Sequence, residues 1–309
     1  MIAFLFPGQG SQTVGMGKAL AERFPEARAV FEEADAALGE RLSTLIFDGP
    51  ADSLTLTENT QPAILTTSIA AFRVLSARGL QPAMTAGHSL GEYSAHVAAG
   101  TISFSDAVRI VRARGRYMQE AVPIGTGAMA AILGLDGDIV SQACADASQG
   151  EVVSPANLNA PGQVVIAGSA AAVARAVDGV RARGAKRAIP LRVSAPFHCA
   201  LMKPAERRLA PELRALNASA PRVPVVANVD AQPKTDAVSA IEALIQQVSA
   251  PVRWEEVMRR LLADGATAFV EVGPGTVLSG LGKKMARTAT FAHIEAPTDL
   301  PGVEALFAI

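Results

Sequence analysis

The sequence predicts an α/β protein, in which helices cover a mainly parallel sheet and a small ferredoxin-like module interrupts the chain. Three observations carry that expectation. Half of the 309 residues are hydrophobic but only 5% are aromatic, so the apolar content is mostly the Ala, Val, Leu and Ile of helices laid on parallel strands. The chain opens on an apolar strand, a polar turn and an amphipathic helix. Its middle part runs strand, helix, strand, strand, helix, strand, which is the split order of a ferredoxin-like unit.

Ile2 to Phe6 is the first strand, closed by the turn Pro7-Gly8-Gln9-Gly10-Ser11-Gln12, and Lys18 to Leu38 reads as one amphipathic helix. A further helix is expected near Thr67 to Ala77. A short strand, Pro82 to Ala86, enters Gly87-His88-Ser89-Leu90-Gly91, and Glu92 to Ala99 follows as a helix. Ser105 suits the N-cap of the next helix, to about Val122, because a serine oxygen accepts a free amide of the first turn.

From about Thr126 the rhythm changes. Strands are expected at Ala128 to Leu133, Val152 to Asn157, Gln163 to Gly168 and Ala188 to Val193, with helices at Asp138 to Ser148 and Ala170 to Arg183. We therefore expect a small subdomain over 126–194, inserted in a larger α/β domain made of 1–125 and 195–309. Val223 to Val229 and Ala268 to Val272 complete the strands of the larger domain.

Charge narrows the partners. Lys and Arg total 28 against 29 Asp and Glu, a formal net charge of −1, so no global field draws the chain to nucleic acid or to an anionic membrane. The first apolar run stops at Pro7 with no basic region before it and no cleavage site after it, unlike a signal peptide, and no run reaches the length of a membrane span. Cys144 and Cys199 show no metal-ligand spacing. A reducing, cytoplasmic setting without a metal is the expectation.

Gly87-His88-Ser89-Leu90-Gly91 fits Gly-x-Ser-x-Gly, the strand-to-helix turn that projects a serine hydroxyl. The amide of Leu90, at the helix start, would face an oxyanion, and the Gln9 amide in the first turn is the candidate second donor. The pattern is short and also fits an ordinary strand-turn-helix. A serine needs a base, and the chain has four histidines. His88 points away from its neighbour, His96 lies inside the following helix, and His293 sits in a polar tail. His198, where the inserted module rejoins the main domain, is preferred over a structural histidine because clefts form at such junctions. No acidic residue stands out as a third member, so a backbone carbonyl is expected to orient the imidazole.

Arg114 falls inside the apolar stripe Ala107, Val111, Gly115 and Met118, whereas Arg109, Arg112 and Arg116 read as solvated. A guanidinium on a core face needs a partner. Either an internal carboxylate pairs with it, or it is a bidentate clamp for a substrate carboxylate.

With Phe6-Pro7-Gly8-Gln9-Gly10-Ser11-Gln12, Asn59-Thr60-Gln61-Pro62-Ala63, Gly87-His88-Ser89-Leu90-Gly91-Glu92-Tyr93, Arg114-Gly115, Asn157-Leu158-Asn159-Ala160-Pro161-Gly162-Gln163, Phe197-His198 and Glu271-Val272-Gly273-Pro274-Gly275 in order, the chain resembles the malonyl-CoA:acyl carrier protein transacylases of fatty-acid synthesis from end to end. The resemblance implies a modified α/β-hydrolase-like core with an inserted ferredoxin-like subdomain, and a site in the cleft between them. It implies Ser89 as nucleophile, His198 as base, Gln9 and Leu90 as oxyanion donors, Arg114 as malonyl clamp and Gln247 as the residue whose carbonyl orients the histidine. Gln61 and Gln163 would stand near the substrate channel.

Phe197 matches relatives that prefer malonyl over methylmalonyl. Malonyl-CoA would be the donor and the phosphopantetheine of an acyl carrier protein the acceptor, with no bound cofactor and a monomeric enzyme. The clusters Arg181, Arg183, Lys186 and Arg187, or Lys283, Lys284 and Arg287, are candidates for a basic docking rim, or else solvated helix faces. The rival readings are a serine esterase, a non-catalytic docking module, or the same chemistry in polyketide synthesis or malonate metabolism.

Overall fold

The computed structural model describes residues 1–123, 125–191 and 193–308. Among the described residues ten strands form two sheets. The larger holds β1 (Ile2–Phe6), β2 (Met84–Gly87), β7 (Val225–Val226), β8 (Pro233–Lys234), β9 (Ala268–Val272) and β10 (Thr290–Ile294), in the order β10-β9-β1-β2-β7-β8. Every pair is parallel except β7 with β8. β1 lies between β2 and β9 and is buried along almost its whole length, as its unbroken apolar run requires.

The second sheet is antiparallel, formed by β3 (Gly127–Leu133), β4 (Val153–Ala160), β5 (Gln163–Ser169) and β6 (Arg187–Pro190) in the order β4-β5-β3-β6. The helices Gly137–Ser148 and Ala170–Ala182 pack on it through Val140, Ala143, Ala176 and Val180. The predicted mixture of helices with a parallel sheet is therefore present.

Local chemistry explains where the expected elements shift. The helix expected over Lys18 to Leu38 is two, Lys18–Arg23 and Pro25–Leu38, because extended Phe24 and Pro25 at the helix start break the run. The helix expected from Thr67 begins ten residues earlier and runs Thr57–Ser76 with Pro62 inside it. Burial on nearly every face outweighs the intrinsic cost of one proline. Ser103, not Ser105, caps the helix Phe104–Glu120, its hydroxyl accepting the Asp106 amide at 3.1 Å. Ser105 instead bonds Glu33.

β7 is two residues long instead of seven, since Pro224 has no N–H and the Asn228 amide turns to Glu92. β6 stops at Pro190; of the span expected to reach Val193, Arg192 lies outside the described residues. Among the described residues no helix is long and apolar enough to cross a membrane.

Candidate active site

β1 and β2 run side by side in register, Phe6 opposite Gly87, so the turns after both strands open at the same end of the sheet. Glycine is required there by contact. A Cβ on Gly91 would lie 2.0 Å from the carbonyl oxygen of Phe6, and one on Gly87 would lie 1.9 Å from the Gly91 carbonyl. Ser89 takes φ 52°, ψ −108° before the helix Leu90–Ala98. A non-glycine residue in that region is strained, and such strain collects at functional turns. The turn is held by Asn228, whose Oδ1 accepts the Ser89 amide at 2.7 Å while its Nδ2 donates to Gly87 O at 2.8 Å.

His198, also at positive φ, reaches Ser89 from the loop after the second sheet. Its Nε2 is 2.6 Å from Ser89 Oγ, and its Nδ1 faces the carbonyls of Gln247 at 3.0 Å and Ala250 at 3.2 Å. Carbonyls only accept, so Nδ1 carries the proton and Nε2 is left to accept from the serine hydroxyl. Burial, and then the nearby Arg114 charge, push His198 down to about 3. The imidazole is thus neutral at neutral pH and able to take a proton.

The third component comes from the Phe104–Glu120 helix. Gly115 lets that helix close on Thr57–Ser76, since a Cβ there would sit 2.7 Å from Thr57 O. Arg114, 2% exposed, then points at Ser89. Its Nη1 donates to Gln61 Oε1 at 2.8 Å, and its Nη2 to Gln247 Oε1 at 2.9 Å and Ser89 Oγ at 3.2 Å. All three acceptors are neutral. The internal carboxylate that spacing left open is therefore not bonded to Arg114, and the guanidinium faces the serine with its charge unpaired.

These groups line a cleft of about 470 Å³ between the end of the large sheet and the second sheet, which contributes Met129 of β3 and Asn157 of β4. Gln9, Gln61, Phe197 and the apolar Leu191 complete the wall. The Gln9 and Leu90 amides find no acceptor within the described chain. Gln163 is not brought to this cleft; on β5, its Oε1 accepts from Lys284 Nζ at 2.9 Å.

Arg112, read as solvated, is half-buried and bonds Asn59 and Glu40. In the basic clusters, Arg181 pairs with Asp178 and Arg183 with Asp146. Among the described residues no group of three His, Cys, Asp or Glu is arranged to hold a metal ion.

Sequence reasoning missed further members of this neighbourhood. His88 Nε2 lies 2.8 Å from Asn159 Oδ1 of β4, and its ring packs on Trp254. Asn228 and Glu92 are completely buried behind the elbow. The signal for Glu92 was available, since it is the one carboxylate in a short helix that is otherwise uncharged and buried throughout, much as a charge in an apolar stripe singled out Arg114.

A model of the acyl transferase domain matches residues 3–296. The chain is 54% identical over 297 residues to the malonyl CoA-acyl carrier protein transacylase of Bacillus subtilis, covering 96% of this chain and 94% of that one. The corresponding protein of Salmonella typhimurium is 52% identical over 299 residues, 96% and 97% of the two chains. The fold matches an acyl carrier protein S-malonyltransferase from Vibrio cholerae with a TM-score of 0.96 at 51% identity, over 98% of this chain and 99% of that one. It also matches a malonyl-transacylase solved in complex with its type II PKS acyl-carrier protein, with a TM-score of 0.95 at 48% identity over 98% of each chain. The chain belongs to the acyl transferase family, among the malonyl CoA-acyl carrier protein transacylases.

Proposed function

We propose that this enzyme moves a malonyl group from malonyl-CoA to the phosphopantetheine thiol of an acyl carrier protein, through a malonyl ester on Ser89, and so supplies fatty-acid synthesis. One observation carries the reading: a serine hydroxyl paired with a neutral imidazole at 2.6 Å stands 3.2 Å from a buried guanidinium that has no carboxylate of its own. The pair provides acyl chemistry. The guanidinium selects an acyl group with a free carboxylate.

His198 Nε2 takes the Ser89 proton as Oγ attacks the thioester carbonyl, and the main-chain amides of Gln9 and Leu90 hold the resulting oxyanion. Collapse breaks the C–S bond, and the departing thiolate of coenzyme A receives the proton from His198. The carrier thiol then gives its proton to His198 and attacks the ester. Ser89 Oγ leaves with that proton. Gln247 contributes its main-chain carbonyl, which holds the Nδ1 proton of His198 in place throughout, so the site is a dyad with a backbone orienter. Arg114 and Gln61 face the malonyl carboxylate. Phe197, almost fully buried in the cleft wall, occupies space that an α-methyl group would need.

The same reading divides the chain into a modified α/β-hydrolase-like core, 1–125 with 195–309, and a ferredoxin-like subdomain, 126–194. The β4-β5-β3-β6 order of the antiparallel sheet and its two helices support that division. No resident cofactor is needed for any step. Two free, buried cysteines agree with a reducing cytoplasm.

Intact-protein mass spectrometry after incubation with malonyl-, methylmalonyl- and acetyl-CoA tests the scheme. The wild type should carry a malonyl adduct in preference to the others, and Ser89→Ala should carry none. Absence of any adduct on the wild type, or an equal adduct on Ser89→Ala, would rule out the covalent route. Rapid loss of the adduct to water in the presence of carrier protein would favour an esterase instead.

A further inference from the structure

Glu92 has no part in the proton transfers, yet it is a buried carboxyl only one residue removed from the groups that make them. It sits on the Leu90–Ala98 helix with no exposed surface. Its Oε2 accepts from the Asn228 main-chain amide at 3.0 Å and from Gln247 Nε2 at 2.8 Å. Its Oε1 is buried without a partner among the described residues. Burying a carboxylate costs several kcal/mol on the order-of-magnitude scale of charge burial, and here that cost is met only by the two donors to Oε2.

Both partners of Oε2 lead to the reacting groups. Asn228 brackets the Ser89 elbow from either side. Gln247 donates through Nε2 to Glu92 and also to Ser89 O at 2.8 Å. With both hydrogens of that NH2 group taken by oxygen acceptors, the amide has one orientation, and Oε1 must face Arg114 Nη2. A flipped amide would set oxygen against the Glu92 carboxylate and NH2 against the guanidinium. The carboxylate thus decides which atom Arg114 meets. It stands one amide away from the guanidinium, too far to occupy its fork.

We infer that Glu92 is a positioning residue for malonyl selectivity: through Gln247 it aims the Arg114 guanidinium at the acyl carboxylate while leaving that guanidinium open. The inference rests on the reading of Arg114 as the malonyl clamp. Transacylation to carrier protein is measured with malonyl-CoA and acetyl-CoA for the wild type, Glu92→Asp, Glu92→Gln, Arg114→Ala and the Arg114→Ala/Glu92→Asp pair.

Glu92→Asp withdraws the carboxylate by one methylene. It should raise KM for malonyl-CoA and lower the malonyl-to-acetyl ratio of kcat/KM about tenfold, the size of one hydrogen bond to a charged group. The acetyl rate should fall less than the malonyl rate, because acetyl has no carboxylate for a misaimed guanidinium to miss. Glu92→Gln keeps an oxygen for both donors and should retain the ratio. In the Arg114→Ala background Glu92→Asp should change the ratio no further, the non-additivity expected of one coupled network.

Equal losses with both donors in Glu92→Asp, an unchanged ratio, or a loss in Glu92→Gln as large as in Glu92→Asp would each overturn the inference. If Glu92→Asp is insoluble, Glu92→Met replaces it with the same expectation. Malonyl preference surviving in Arg114→Ala would sink the clamp itself, independently of what the Glu92 variants do.

Discussion

Removing the Arg114 side chain is the perturbation with the largest calculable effect on selectivity. In Arg114→Ala a malonyl carboxylate in the cleft loses a two-pronged contact. Hydrogen bonds to charged groups contribute about 1.5–3 kcal/mol each, giving a gross loss of about 3–6 kcal/mol for two. Part of this is offset, because the carboxylate gives up its water to reach a guanidinium that is 2% exposed. We therefore expect a net loss of about 3–4 kcal/mol, or roughly 10²–10³ in kcat/KM for malonyl-CoA.

Acetyl-CoA has no group for the fork, and the Ser89–His198 pair is intact in the variant, so acetyl transfer should change far less. The assay is steady-state transfer to carrier protein with both donors. Thermal unfolding accompanies it, since Gln61 Oε1 and Gln247 Oε1 each lose a donor. A folded Arg114→Ala enzyme with the wild-type malonyl-to-acetyl ratio would exclude Arg114 as the carboxylate clamp.

Gly91→Ala places a Cβ 2.0 Å from the Phe6 carbonyl oxygen, a main-chain atom that cannot move aside; the variant should be destabilised beyond about 4 kcal/mol and fail to give a wild-type circular-dichroism melt. Ser103→Ala removes the cap on the Asp106 amide and should cost about 1 kcal/mol in urea unfolding, with a smaller cost for Ser105→Ala; the reverse order would contradict the assignment.

His198, held at about 3, has a folded value below the usual 6.5. The unfolded chain therefore binds a proton near pH 6.5 that the folded chain refuses. The stability contributed by this group is complete above about pH 6.5 and falls as the pH drops toward 3. For the same reason, the rate of acyl-enzyme formation should show no break near 6.5. The measurement is best made by rapid quench in Glu92→Gln, because burial also holds the Glu92 carboxyl near 7. A single break at 6.5 in that variant would mean that the imidazole titrates as an exposed one.

Much of this arrangement was legible in the sequence because it rests on local constraints. The strand-turn-helix around Ser89 needs glycine at Gly87 and Gly91 whatever the rest of the fold does, and four histidines leave few choices of base. Arg114 stood out because a charge in an apolar stripe requires an explanation. Other features depend on contacts between distant segments. Pro62 lies inside a helix because burial on nearly every face overrides its local cost. Gln163 matched a motif but faces Lys284, a fact set by packing of β5 near the Val277–Met285 helix. Asn228 falls inside an expected strand in the sequence pattern; only the meeting of β2 and β7 turns it into the clasp of the elbow. Glu92 was readable by the argument used for Arg114, and spacing gave no hint that an amide from residue 247 would stand between the two.

The histidine is oriented by main-chain oxygens, and this changes what can damage it. A carboxylate orienter can be deleted by one substitution, whereas a peptide carbonyl survives any exchange of its side chain. What can be lost is its location. The segment carrying the Gln247 and Ala250 carbonyls is fastened just downstream, where Val252 donates to Ala156 O and accepts from the Leu158 amide of β4, at 2.8 and 2.9 Å. The alignment of the base is therefore inherited from the seating of one sheet against the other. Inactivating changes that spare every residue in the cleft should cluster along that seam.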